Sequence, residues 1–170
     1  VCPNNANFLY PTTPISFTYT NFRVAGKSLV PEEEHSFEIT KDHQIANFSD
    51  YCNECGNCDT FCPEYGGPFI QKPSFFGSRS AWETHKTHDG FHVWQEEEAR
   101  CILGRMQGQT YRLRLEEESS RATFEDAHTC SQWLLPSANE VQSVGVTPLL
   151  PEASIPDTHC IDMGVFHTLR

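Results

Sequence analysis

Residues 52–63 read Cys52-Asn53-Glu54-Cys55-Gly56-Asn57-Cys58-Asp59-Thr60-Phe61-Cys62-Pro63. The spacing is C-x₂-C-x₂-C-x₃-C-P, a run that holds iron–sulfur clusters. Four thiolates within eleven residues suit a cuboidal [4Fe–4S] group, and three of them can wrap one side of it from a single tight loop. Such a loop needs turn-tolerant residues between its sulfurs. Gly56 accepts positive φ without a steric penalty, and Asn53 and Asn57 tolerate left-handed geometry better than most residues. Amides exposed in the loop can point at the sulfurs and help set a potential. Pro63 lacks an N–H and biases Cys62 toward extended backbone, so the chain turns away after the last thiol. Zinc is the first rival, because C-x₂-C pairs also make tetrahedral sites, usually as two pairs separated by a longer loop. A disulfide knot fits less well, since nothing else here resembles a small secreted scaffold.

A second clue lies at residues 1–7, Val1-Cys2-Pro3-Asn4-Asn5-Ala6-Asn7. Cys2-Pro3 reads as the tail of another run of the same kind, with its first three cysteines upstream. In two-cluster ferredoxins the fourth cysteine of each run serves the other cluster. By that rule Cys2 completes the cluster of Cys52, Cys55 and Cys58, and Cys62 serves a second cluster whose other ligands lie upstream. Position 1 is Val rather than Met, so the chain is expected to be a fragment cut within a two-cluster module. The competing reading makes Cys2 an ordinary cysteine and lets Cys62 close a single cluster. Cys101, Cys130 and Cys160 have no ligand spacing and are expected to pack as small hydrophobes.

The 170 residues suit one or two small domains. A formal net charge of −11 argues against nucleic acid, which demands basic patches, and is compatible with docking on a basic redox partner. No apolar run is long enough to span a membrane, and no signal peptide is visible, so a cytoplasmic location is expected. G-x-G-x-x-G, P-loop, G-x-S-x-G and H-E-x-x-H motifs are all lacking, so no catalytic residue is assigned. The triplets Glu32–Glu34, Glu96–Glu98 and Glu116–Glu118 read as solvated turns.

Along the chain, Ile15, Phe17 and Tyr19 alternate with Ser16, Thr18 and Thr20, the period of a half-buried strand. Phe22 and Val24 shift that phase near Asn21. Gly26-Lys27 and Pro31-Glu32-Glu33-Glu34 read as turns around a further short strand at Phe37 and Ile39. Ser80 is expected to cap a helix with Glu83 completing the capping box, and Gly90 to stop it. His85, His88 and His92 do not form a metal set, because Gly90 interrupts their helical spacing. Residues 91–94, 100–103, 110–115 and 121–124 read as an antiparallel meander, with Tyr111, Leu113 and Leu115 on one face and Arg112 and Arg114 on the other. Trp133-Leu134-Leu135 closes it. Residues 137–170 read as irregular, tied down by Leu149, Leu150, Ile161 and Phe166.

The sequence also resembles a specific family. Val1-Cys2-Pro3-Asn4, the long connection after it, Tyr51-Cys52-Asn53-Glu54-Cys55-Gly56-Asn57-Cys58, Phe61-Cys62-Pro63 and Gly67-Pro68 look like the C-terminal part of the selenate reductase large subunit family. Asp89-Gly90-Phe91 and the meander fit its C-terminal extension. The resemblance is strongest over residues 1–76 and weaker to about residue 136. That family is similar to the glutamate synthase small subunit. The resemblance implies an NAD(P)H- and flavin-dependent oxidoreductase with FAD and NAD(P) held in parts absent from this chain. Electrons would pass through two clusters to a redox partner, such as a molybdenum-containing subunit, with Cys2, Cys52, Cys55, Cys58 and Cys62 as ligands.

The expected fold is therefore α+β. A ferredoxin-like iron–sulfur module with an inserted strand pair spans 1–73, a capped helix plus a small antiparallel β meander spans 74–136, and an irregular tail spans 137–170. The expected function is electron transfer through one [4Fe–4S] cluster complete in this chain. The alternative is a zinc- or cluster-stabilised interaction module without a redox role.

Overall fold

A computed structural model describes residues 2–61, 66–137, 140–151 and 154–170. The chain runs through β1 (Asn7–Pro11), β2 (Ile15–Ala25), β3 (Ser28–Ile39) and β4 (His43–Phe48). Next come α1 (Pro68–Gln71), β5 (Ser74–Phe75), α2 (Arg79–Thr84) and β6 (Gly90–Glu96). Strands β7 (Ala99–Met106), β8 (Gln109–Glu116), β9 (Arg121–Glu125), β10 (Thr129–Leu134) and β11 (Gln142–Pro148) follow, and β12 (Cys160–Ile161) and α3 (Met163–Leu169) end the chain. Contacts divide it into two compact units, interleaved along the sequence. The first comprises Val1–Pro14, Ile39–Val93 and Gly104–Gly108, and the second Ile15–Glu38, Trp94–Leu103 and Gln109–Arg170. The sequential division at residues 73 and 136 differs from this one, because β2, β3 and the C-terminal residues pack with the meander.

In the first unit β1 pairs antiparallel with β4, Asn7 opposite Asn47 and Pro11 opposite His43. Strand β4 pairs parallel with β5, and β5 parallel with β6. Parallel neighbours need crossovers, and α1 and α2 lie in them. Phe8 and Tyr10, two apart on β1, both reach Phe75, with ring centroids 5.8 and 6.0 Å away, and Phe75 meets Phe91 at 5.5 Å. Gly90 is required where β6 meets β5: a Cβ there would lie 2.4 Å from the Ser74 carbonyl oxygen.

The cap of α2 falls two residues earlier than Ser80. Ser78 holds extended backbone and its hydroxyl accepts from the Ala81 N–H at 3.1 Å. Glu83 then pairs with Arg79 one turn away instead of closing a capping box. The helix ends at Thr84, so Gly90 opens a strand instead of stopping a helix. Its C-terminal carbonyls are held by Arg105, which is buried. The guanidinium donates to the carbonyls of His85 and His88 at 2.8 Å and of Trp82 at 3.1 Å, and lies 4.1 Å over the Trp82 ring.

The second unit holds β8 to β11 as an antiparallel run and a separate sheet in the order β12-β2-β3. Leu113, Leu115, Phe124, Trp133 and Val146 are buried with Ile161, Met163 and Phe166. Phe166 on α3 lies 5.7 Å from Phe124 and 6.1 Å from Trp133 between ring centroids. The C-terminal residues are therefore not irregular: β11, β12 and α3 supply core side chains. Asp162 caps α3 by accepting from the N–H groups of Gly164 and Val165. Of the four anchors expected there, Ile161 and Phe166 are fully buried, whereas Leu150 is 65% exposed. The expected turn at Pro31–Glu34 lies inside β3. That strand sits at the end of its sheet, where proline and a solvated run of glutamates are tolerated because one side needs no ladder partner.

Candidate functional site

Strand β4 delivers the chain into a 3-10 turn at Ser49–Tyr51, after which Cys52 takes extended backbone and donates its N–H to the Ser49 carbonyl at 3.1 Å. The cysteine stretch then reverses through two left-handed residues, Glu54 at φ 53° and Gly56 at φ 74°. Gly56 takes the positive φ read for it from the sequence, and the second left-handed residue is Glu54. A second 3-10 turn, Asp59–Phe61, closes the stretch, with Asp59 N–H donating to the Gly56 carbonyl at 2.9 Å and Phe61 N–H to the Cys58 carbonyl at 3.3 Å. Cys55 is exposed, and Cys52 and Cys58 are half-buried. Cys62 lies outside the described residues.

Carboxylates tie both ends of the stretch. Asp50 accepts from the Gly77 N–H at 3.3 Å, and Asp59 accepts from the Gly66 N–H at 3.1 Å. Glu54 stands 3.5 Å from the Nε2 of His88. None of these ties has a signature in a single sequence, since each joins residues from separate turns. His85 Nδ1 meets the Ala81 carbonyl at 2.8 Å and His92 Nδ1 the Phe76 carbonyl at 2.9 Å, so both rings help hold the main chain here.

Cys2 occupies a small amide-rich turn of its own. Its sulfur accepts from the Ala6 N–H at 3.4 Å, and Asn5 takes φ 54°. The Ala6 amide first, then those of Asn4, Asn7 and Asn5, hold its thiol below the ordinary value against a smaller opposing effect of burial. Cys101, Cys130 and Cys160 behave in the opposite way. Burial raises Cys101, Cys130 and Cys160, and the carboxylates of Glu96, Glu125 and Glu32 respectively add to it, taking Cys160 to about 11. Cys101 is fully buried, which accords with packing as a small hydrophobe.

Cys2, Cys52, Cys55 and Cys58 are all free thiols in the first unit. Among the described residues, no three His, Cys, Asp or Glu side chains stand close enough together to hold one metal ion. The donor chemistry nevertheless fits an iron–sulfur cluster. The thiols are unbridged, the turn carrying three of them is largely solvent-exposed with two left-handed residues already set, and amides lower the charge cost of the Cys2 thiolate. No helix among the described residues is long and apolar enough to cross a membrane.

No protein-family model matches the chain, and no solved structure matches it. Among curated proteins it is similar to one from Escherichia coli O157:H7 named "Putative oxidoreductase YgfK", with 33% identity over 75 residues. The match covers 44% of this chain and 7% of the relative's length.

Proposed function

We propose that this chain carries electrons through a [4Fe–4S] cluster held by Cys52, Cys55 and Cys58 with Cys2 as fourth ligand, as a segment of a larger oxidoreductase. The observation that carries the reading is the amide shell of Cys2. Main-chain N–H groups favour its thiolate, while every cysteine outside the motif logic is pushed toward the neutral thiol. The C-x₂-C-x₂-C spacing and the similarity to an oxidoreductase-named protein support it independently.

Bound there, the cluster would supply reversible one-electron storage. The chain's own residues do the rest. Gly56 and Glu54 turn the backbone so that successive thiols leave one stretch, and Asp50 and Asp59 hold the ends of that stretch. The Ala6 amide stabilises negative charge on the Cys2 sulfur. Cys62 would serve a second cluster completed by an upstream run. By the resemblance of residues 1–76, the electrons would come from NAD(P)H by way of FAD elsewhere in the parent protein and would leave to a partner subunit.

The test is anaerobic reconstitution with iron and sulfide followed by EPR of the dithionite-reduced chain. A [4Fe–4S] signal that disappears in Cys2→Ser, or changes its g-values there, is the expected result. A signal untouched by that substitution would remove Cys2 from the ligand set, and zinc uptake without any signal would replace electron transfer by a structural interaction module.

A further inference from the structure

Glu54 is the non-glycine residue in the cysteine stretch that takes left-handed backbone, at φ 53°. Side chains at such positions crowd the following carbonyl, so something must hold the residue there. The one side-chain contact it makes among the described residues is with His88, whose Nε2 lies 3.5 Å from Oε1. His88 is presented rigidly. Its carbonyl accepts from buried Arg105 at 2.8 Å, its N–H donates to the His85 carbonyl at 3.1 Å, and its ring packs edge-on against His85. Its Nδ1 is buried without a hydrogen-bond partner among the described residues. Nε2 is the ring nitrogen that faces Glu54.

We infer that His88 is a positioning residue for the cysteine turn: its ring, with Nε2 against the Glu54 carboxylate, restrains Glu54 in the left-handed conformation and so presets the backbone between Cys52 and Cys55 for cluster binding. This rests on the reading of Cys52, Cys55 and Cys58 as ligands. The anchor runs from the Arg105–Trp82 stack through the His88 main chain to the turn. Because Arg105 grips the His88 carbonyl and not its ring, His88→Ala removes the contact to Glu54 and leaves that grip in place.

The test uses the full 170-residue chain in four forms: wild type, His88→Ala, Glu54→Gly, and the double variant. Amide hydrogen exchange of Cys55 and Gly56 is measured without iron, and the rate of bleaching by a chelator is measured after reconstitution. An exposed pair of this kind predicts that His88→Ala speeds both by roughly two- to fivefold. Glycine at residue 54 has no carboxylate for His88 to hold, so adding His88→Ala to Glu54→Gly should leave both rates as they are in Glu54→Gly alone. A His88 that only stabilised its own turn would speed both rates equally with Glu or Gly at residue 54. Exchange at the wild-type rate in His88→Ala, or the same acceleration by His88→Ala in both backgrounds, overturns the inference. If the wild-type chain takes up no iron, the cluster reading fails, and the exchange comparison alone decides whether His88 holds the turn.

Discussion

Cys2 in the first unit and the three cysteines of the second unit sit in surroundings that push their thiols in opposite chemical directions. In the first unit Cys2 lies among main-chain amides that favour its thiolate, and Cys52, Cys55 and Cys58 follow on an exposed turn. In the second unit Cys101, Cys130 and Cys160 are packed into β structure beside glutamates that oppose ionisation. The same side chain thus serves as a ligand candidate in one unit, while in the other Cys101 is core filling and Cys130 and Cys160 are half-buried. The difference lies in what the neighbours do to a negative charge on sulfur, not in the cysteine itself.

The sharpest way to break this contrast is to delete one thiol of each kind. Cys55→Ala should abolish the visible absorption of the reconstituted chain, whereas Cys101→Ala should retain it with full iron content. Iron loss in Cys101→Ala would show that the division of cysteines is drawn in the wrong place. The second unit should answer instead to packing changes. Trp133 is 1% exposed, lies against Phe22 and Phe166, and donates its Nε1–H to Ser131 Oγ at 2.9 Å. Trp133→Ala should destabilise that unit by about 3–5 kcal/mol, read from the midpoint of denaturant unfolding.

Thiol reactivity gives a finer comparison. With its thiol at about 11 against an ordinary 9.0, Cys160 holds about a hundredfold less thiolate at pH 8 than an unperturbed cysteine. Iodoacetamide mapping of the folded chain should therefore label Cys2 early and Cys160 last, and early labelling of Cys160 would contradict the packing described for it. The smallest effect belongs to His167, which is packed among Phe17, Phe37, Tyr19 and Phe166 and whose ring burial lowers to about 4. Unfolded, its ring protonates near 6.5, so between about 6.5 and 4 the unfolded state binds more protons and stability falls as pH falls. The slope of stability against pH in that window should flatten in His167→Gln, and an unchanged slope would assign it to other groups.

Sequence patterning was legible wherever one face of an element is buried and the other is not. The alternation of Ile15, Phe17 and Tyr19 and that of Tyr111, Leu113 and Leu115 both lie in strands, and the phase shift after Tyr19 appears as a change in which β2 residues are buried. The end of β3 was legible at Phe37 and Ile39, but its start was not, because it is nearly all solvated, so its glutamates carry no period and Pro31 imitates a turn. In the C-terminal residues the anchors Ile161 and Phe166 were legible, but the elements that carry them were not, for a different reason. Their core contributions are short and scattered, Val146, Ile161 and Phe166, and only long-range packing on the meander gives them structure. For the candidate site, cysteine spacing was readable because local backbone geometry limits which thiols one turn can present. The links from Asp50 to Gly77, from Asp59 to Gly66 and from Glu54 to His88 join separate turns and leave no trace in the local sequence.

The central claim is that thiols of the first unit hold iron, and the direct measurement is iron and acid-labile sulfide per chain after anaerobic reconstitution. The account predicts about four of each, with loss of both in Cys55→Ala. Bound zinc in their place, or a folded chain that takes up neither iron nor sulfide, would contradict it.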